Sequence, residues 1–159
     1  MPLTIIQTLF KPDGPLARHI DGFKARAPQL EMAEAVSRAI KQGGRLLVEA
    51  GTGTGKTYAY LVPALESGKR VVISTGSKNL QEQLFYRDLP TITGALHYTP
   101  PVALLKGRSN YLCIERMNRL FSESHLQKPE ILSDLVKVNS WSTATDNGDV
   151  GDIPGLQEN

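Results

Sequence analysis

Cysteine is all but missing from this chain: Cys113 stands alone among 159 residues. No intramolecular disulfide can form, and such usage suits a reducing cytosol, so the expected location is cytoplasmic. Long hydrophobic runs are missing too. The apolar stretches are short and broken, and no membrane span is expected. Met1–Phe10 has neither a basic leader nor a small-residue cleavage site, and so does not read as a signal peptide. Charge of one sign is scarce overall. The net charge of +2 is too small to mark a nucleic-acid binder by itself. Its distribution is more telling. Residues 142–159 contain no Lys or Arg but hold Asp146, Asp149, Asp152 and Glu158; residues 102–120 hold Lys106, Arg108, Arg116 and Arg119 against Glu115 alone. Internal repeats and low-complexity blocks are absent. What remains, 40% hydrophobic and 21% charged residues, is the make-up of a soluble globular protein with a core of its own.

Residues 11–28 are rich in Pro and Gly and read as an irregular lead-in with one short helix. Leu30, Ala33, Val36 or Ser37, and Ile40 recur at helical spacing, which predicts a helix over Gln29–Lys41, with Pro28 in its first turn and Gly43-Gly44 ending it. Leu46–Val48 and Val71–Ile73 are short apolar runs of the kind found in strands covered on both faces, and Val102–Leu105 predicts a third. Helices are expected over Lys56–Glu66 (with Pro63 as a kinking misfit), from Leu80 to near Pro90, over Tyr111–Phe121 and over Pro129–Trp141. After Trp141 the chain reads as loop. Alternating strands and helices imply an α/β fold: a parallel sheet with helical crossovers. Three strands are few for that class, and the sheet looks incomplete.

Between the first strand and the helix that follows it lies Ala50-Gly51-Thr52-Gly53-Thr54-Gly55-Lys56-Thr57. This is P-loop spacing, with Ala50 where the stricter pattern has Gly. Such a loop wraps phosphate oxygens in backbone N–H groups, so side chains must stay clear and φ must be free. The next helix turns its N-terminus toward the anion. Lys56 can reach the β- and γ-phosphates, and the Thr57 hydroxyl can bind Mg²⁺, which makes ATP and Mg²⁺ the expected ligands. A glycine-rich turn without function is the plain alternative; the buried strand expected before the loop and the helix after it favour the P-loop.

The stretch Val48–Thr57 resembles superfamily-2 DNA helicases of the XPD/DinG type. Three further stretches resemble the same family: Arg26–Met32, Ser74–Leu84 and, most specifically, Leu105-Lys106-Gly107-Arg108-Ser109-Asn110-Tyr111-Leu112-Cys113. The resemblance spans roughly residues 20–155. It implies a RecA-like P-loop domain over residues 1–104 and the helical start of an iron–sulfur domain over 105–159. It implies that Arg26 and Gln29 serve the nucleotide, with Gln29 reading adenine. It also implies that Thr75, Lys78, Asn79 and Gln83, with Lys106, Arg108 and Tyr111, contact single-stranded DNA, and that Cys113 is the first ligand of a [4Fe-4S] cluster in a full-length parent. That parent would couple ATP hydrolysis to 5′→3′ movement on DNA in repair or replication. By composition alone each residue has a plainer reading: Gln29 as a solvated helix residue, Thr75, Asn79 and Gln83 as cap and surface, the basic residues as a solvated face, Cys113 as a core thiol.

Several parts of such an enzyme are not legible in these residues. No apolar strand after residue 75 ends in Asp or Glu to orient a water, and one thiol cannot hold a four-iron cluster. The expectation is a truncated chain that binds nucleotide without turning it over. A small P-loop kinase and a non-catalytic nucleotide-dependent binding module are the alternatives from other classes. Against the kinase, no substrate-binding acid follows a strand, and no arginine-rich lid is found.

Overall fold

A computed structural model describes residues 4–123 and 128–155; Glu158, counted above in the acidic tail, lies outside them. The chain divides into two compact units, Met1–Leu104 and Leu105–Asn159.

Six α-helices make up the first unit among the described residues: α1 (Ile5–Leu9), α2 (Pro15–His19), α3 (Ala27–Gln42), α4 (Lys56–Glu66), α5 (Lys78–Gln83) and α6 (Leu89–Leu96). Several starts and stops have a local cause. Thr4 and Gln7 form a reciprocal capping box at α1. Pro28 occupies the first turn of α3, where its missing N–H costs nothing, and Gly43 ends that helix in the left-handed region at φ 69°. The amides of Gly43 and Gly44 both bond to the Ala39 carbonyl there. α3 packs chiefly on α4, whose Ala59, Leu61 and Val62 are almost wholly buried with Ala33, Leu16 and Ile92. Burying one such aliphatic side chain contributes about 1.5–3 kcal/mol, so this pairing is what fixes the start of α4 in place.

The expected parallel sheet is not present. No strand occurs among the described residues, and the one β-bridge is an isolated antiparallel contact between Tyr111 and Asp149. Leu46–Val48, Val71–Ile73 and Val102–Leu105 run as unpaired segments with Leu47 99% and Val72 90% exposed. The difference has a physical cause. A helix satisfies its hydrogen bonds within four residues, whereas a parallel strand draws every one of them from partners far off in sequence. The short-range half of the pattern therefore appears and the long-range half does not.

α4 has the expected bounds, Lys56–Glu66, and continues through Pro63. One helix of this unit departs from expectation. The helix expected to close near Pro90 instead passes from α5 through a π-helical turn, Leu84–Asp88, into α6, where Pro90 sits in the first turn.

The second unit contains α7 (Ile114–Ser122) and α8 (Pro129–Ser142), followed by loop and a short 3-10 turn at Val150–Asp152. Its core is small: Met117, Leu135 and Ile153 are buried. α7 starts three residues later than expected because Tyr111 and Leu112 pair instead with the far end of the unit. The Leu112 amide donates to the Gly148 carbonyl at 2.8 Å.

Candidate nucleotide site

The P-loop is held from both sides by side chains of the lead-in and of α3. Gln29, only 6% exposed, donates through Nε2 to the Gly55 carbonyl at 3.0 Å, and Arg26 donates through a terminal guanidinium nitrogen to the Gly53 carbonyl. Thr54 Oγ1 donates to Gly51 O at 3.0 Å and ties the loop to itself. Gly53 and Gly55 adopt φ of 74° and 80°, backbone that side chains of L residues resist. At Gly55 the glycine is needed twice over, since a Cβ would collide with the Gln29 amide and come within 2.8 Å of its Cδ. Gly55 is also the N-cap of α4, so the helix's positive end is directed at the loop.

Lys56 turns its ammonium back onto the loop, donating to Ala50 O at 2.7 Å and Gly51 O at 2.8 Å. To reach a phosphate it exchanges these two carbonyls for anionic oxygens. Thr52 is exposed at the loop's crest. Thr57, half-buried, lines a cavity of about 410 Å³ together with Arg26, Gln29, Gly53, Arg87 and Asp88. That volume lies in the range of small-ligand sites. Phe23 and Tyr58 stack at the cavity with ring centroids 6.1 Å apart. Burial pushes the Tyr58 phenol above its ordinary pKa; the Asp88 carboxylate adds to the rise and Arg87 opposes it. Tyr60 is also raised, first by burial, with a hydrogen bond to Thr57 opposing and Asp88 adding.

The structure thus brings Arg26, Gln29 and Ala50–Thr57 together at one place. The residues expected at DNA are distributed differently. Thr75 donates to the Ser77 carbonyl at 3.1 Å, and Lys78 and Asn79 are exposed in the first turn of α5, capped by Ser77. Gln83, at the other end of α5, lines the nucleotide cavity and donates to Asp88 Oδ2 at 3.0 Å. In the second unit Lys106 does not belong to an open basic face. Its side chain is 8% exposed and its ammonium lies 2.7 Å from Asp149 Oδ2, because a buried carboxylate in this small core requires a cation. Tyr111 accepts the Lys106 backbone N–H at its phenol oxygen, 2.8 Å away. Arg108 is exposed in the 3-10 turn Arg108–Asn110. Cys113 is an exposed thiol at the N-cap of α7, in contrast to the buried thiol its apolar neighbours suggest.

Asp88, Arg87, Phe23 and Tyr58 were not among the expected site residues. Asp88 carried a signal: Leu80, Leu84 and Asp88 fall four apart, which puts a carboxylate in line with an apolar helical stripe. A charge there needs a partner or a task.

The glycine cradle, Lys56, Thr57 and the helix start fit a nucleoside triphosphate with Mg²⁺. The residues here do not make a cluster site: Cys113 is one thiolate where four are needed, and no group of three or more His, Cys, Asp or Glu suited to a metal occurs among the described residues. No helix among the described residues is long and apolar enough to cross a membrane.

Residues 29–146 match the DEAD/DEAH box helicase family, and the chain belongs to it. Membership places it in the RecA-like P-loop class, although its strands are unformed among the described residues. Among individual proteins, it is 56% identical over 149 residues to the ATP-dependent DNA helicase YoaA of Escherichia coli strain K12, covering 94% of this chain and 23% of that protein. It is 41% identical over 157 residues to the ATP-dependent helicase DinG of Mycobacterium tuberculosis strain H37Rv, covering 85% of this chain and 24% of the relative. The 3'-5' exonuclease DinG of Bacillus subtilis strain 168 is 33% identical over 142 residues, covering 87% of this chain and 15% of the relative. The chain thus spans about a quarter or less of the length of these relatives. No solved structure matches it.

Proposed function

We propose that this chain is the nucleotide-binding portion of an ATP-dependent DNA helicase, with the first unit as part of the first motor domain and the second as the start of an iron–sulfur domain. One observation carries the reading: a P-loop whose two left-handed glycines are locked from outside by Arg26 and Gln29. Backbone N–H groups of Gly51–Gly55 would hold the phosphates, Lys56 would neutralise the β- and γ-phosphate charge, and Thr57 would bind Mg²⁺. ATP supplies the phosphoryl group; the chain's own part is to bind, orient and screen it. Gln29 would serve adenine while its amide braces Gly55. Thr75, Lys78 and Asn79 at the start of α5, and Arg108 in the second unit, are the residues proposed for single-stranded DNA, through contacts to its phosphates. Cys113 would give one thiolate to a [4Fe-4S] cluster whose other ligands are not among these 159 residues. A cytoplasmic setting goes with this role.

The isolated chain is expected to bind nucleotide without DNA-stimulated turnover, because no carboxylate among the described residues is placed by a strand end to orient water. The test is Mg·ATP affinity for the chain and for Lys56→Ala. Loss of a charge-assisted contact weakens binding about ten- to a hundred-fold. Equal affinities would remove the P-loop from the site.

A further inference from the structure

The nucleotide cavity has a wall that the P-loop reading does not use. Gln83, Arg87 and Asp88 all line it, and all come from the junction of α5 with the π-helical turn Leu84–Asp88. Asp88 is the buried member, its side chain 4% exposed, while Arg87 is 69% exposed. Arg87 Nε donates to Asp88 Oδ1 at 3.0 Å and Gln83 Nε2 donates to Asp88 Oδ2 at 3.0 Å, so each carboxylate oxygen fixes one neighbour.

The π turn makes this possible. At 3.6 residues per turn, side chains five apart point about 140° away from each other. The wider i→i+5 register brings Gln83 and Asp88 to the same side, and single π turns of this kind recur at functional sites. A buried carboxylate is costly and is kept only where its partners are in place. Here the partner is an exposed guanidinium at the rim of a phosphate-binding loop. The Nε bond uses one of its five donors, and the planar fork that remains matches the geometry of phosphate oxygens.

We propose that Arg87 is a nucleotide-contacting residue of this pocket, reaching the phosphates held by the loop, and that Asp88 is the positioning residue that aims it. The inference rests on the nucleotide-binding reading above and adds a second cation to Lys56, supplied by a different helix. That helix is the one whose first turn carries Lys78 and Asn79, so nucleotide and DNA would be gripped by two ends of one continuous helical segment.

The experiment measures Kd of the 159-residue chain for Mg²⁺ with a fluorescent ATP analogue, mant-ATP, at several salt concentrations. The proteins are wild type, Lys56→Ala, Arg87→Ala, Asp88→Asn and the Arg87/Asp88 double variant. Arg87→Ala is expected to weaken binding about tenfold and to flatten its salt dependence, since one charge-assisted phosphate contact is lost. Asp88→Asn should weaken binding by less, and the double variant should bind no worse than Arg87→Ala alone, because Asp88 acts through Arg87. Wild-type affinity for Arg87→Ala, with Lys56→Ala impaired, overturns this proposal and leaves the P-loop reading standing. Wild-type affinity for Lys56→Ala overturns the P-loop reading itself. Additive losses in the double variant overturn the positioning role of Asp88. If Asp88→Asn does not fold, Asp88→Glu takes its place in the cycle with the same outcomes.

Discussion

Replacing Gly55 by alanine should separate the brace on the P-loop from the loop itself. Gly55 sits at φ 80°, and a non-glycine residue in that region costs about 1–2 kcal/mol. The added Cβ also lands on the Gln29 amide. Gln29 can swing away, but it is buried and its donor then loses the Gly55 carbonyl, which costs about 1–3 kcal/mol for an unpaired polar group. Together the expected destabilisation is about 3 kcal/mol, a fall in Tm of more than about 10 °C for a unit of this size. Gly51→Ala is the internal control. Nothing lies within 4 Å of a Cβ there and its φ is not left-handed, so its stability should stay within about 0.5 kcal/mol of wild type. Both variants would be followed by thermal and urea unfolding, with mant-ATP binding measured on the folded protein. Gly55→Ala matching Gly51→Ala in stability would refute the reasoning, because it would mean that neither the backbone strain nor the Gln29 brace exists in solution.

Three other outcomes follow from the same geometry. Asp149→Ala leaves Lys106 buried without its carboxylate, which should destabilise the second unit by about 3 kcal/mol; chemical denaturation read out at Trp141 checks this, and an unchanged midpoint contradicts it. The raised phenols of Tyr58 and Tyr60 bind protons more tightly in the folded chain than in the unfolded one, so their contribution is fully present below the ordinary pKa of 10.0 and is lost as pH climbs through the raised values. Tyr58→Phe should therefore lose less stability than wild type between pH 9 and pH 11 in thermal melts, these limits being about one unit either side of the ordinary value; an identical loss would show that the phenol is not perturbed. Leu47 and Val72 expose nearly their whole side chains, and Leu47→Lys with Val72→Lys should reduce self-association in sedimentation experiments; unchanged association would locate the sticky surface elsewhere.

The parts of this molecule that were legible in its residues are those set by near neighbours. The P-loop, the proline-started and glycine-ended α3, and α4 behind Lys56 each need only a few adjacent positions, and each appears. Val71–Ile73 shows the opposite case: its apolar run calls for strands on either side, and no local signal can supply them. Lys106, expected on an open basic face, is paired and buried instead for a related reason. Its partner, Asp149, is 43 positions away, and the acid-rich tail gave no sign of which carboxylate would turn inward. The place of Asp88 on an apolar stripe was legible, but its contact with Gln83 was not, because a π turn shifts the helical register and a pattern counted at 3.6 residues per turn puts the two on different sides. In the structure Gln29 donates to the Gly55 carbonyl, 26 positions away, a contact that no local pattern in the sequence announces.

The ion pair between Lys106 and Asp149 has an evolutionary consequence. It joins the start of the second unit to the segment that follows α8, and the Leu112 amide bonded to Gly148 stands beside it as a second rivet. Everything between, α7 and α8 included, is a loop whose two ends are pinned at one point. The entropy of closing a loop grows only with the logarithm of its length, so doubling the enclosed chain costs about 0.6 kcal/mol. A segment fastened in this way can gain or lose whole helices among descendants without disturbing the chain that leads in or out. New surface can be tried there at little cost, while the P-loop in the first unit, braced at Gly53 and Gly55, tolerates little change of length.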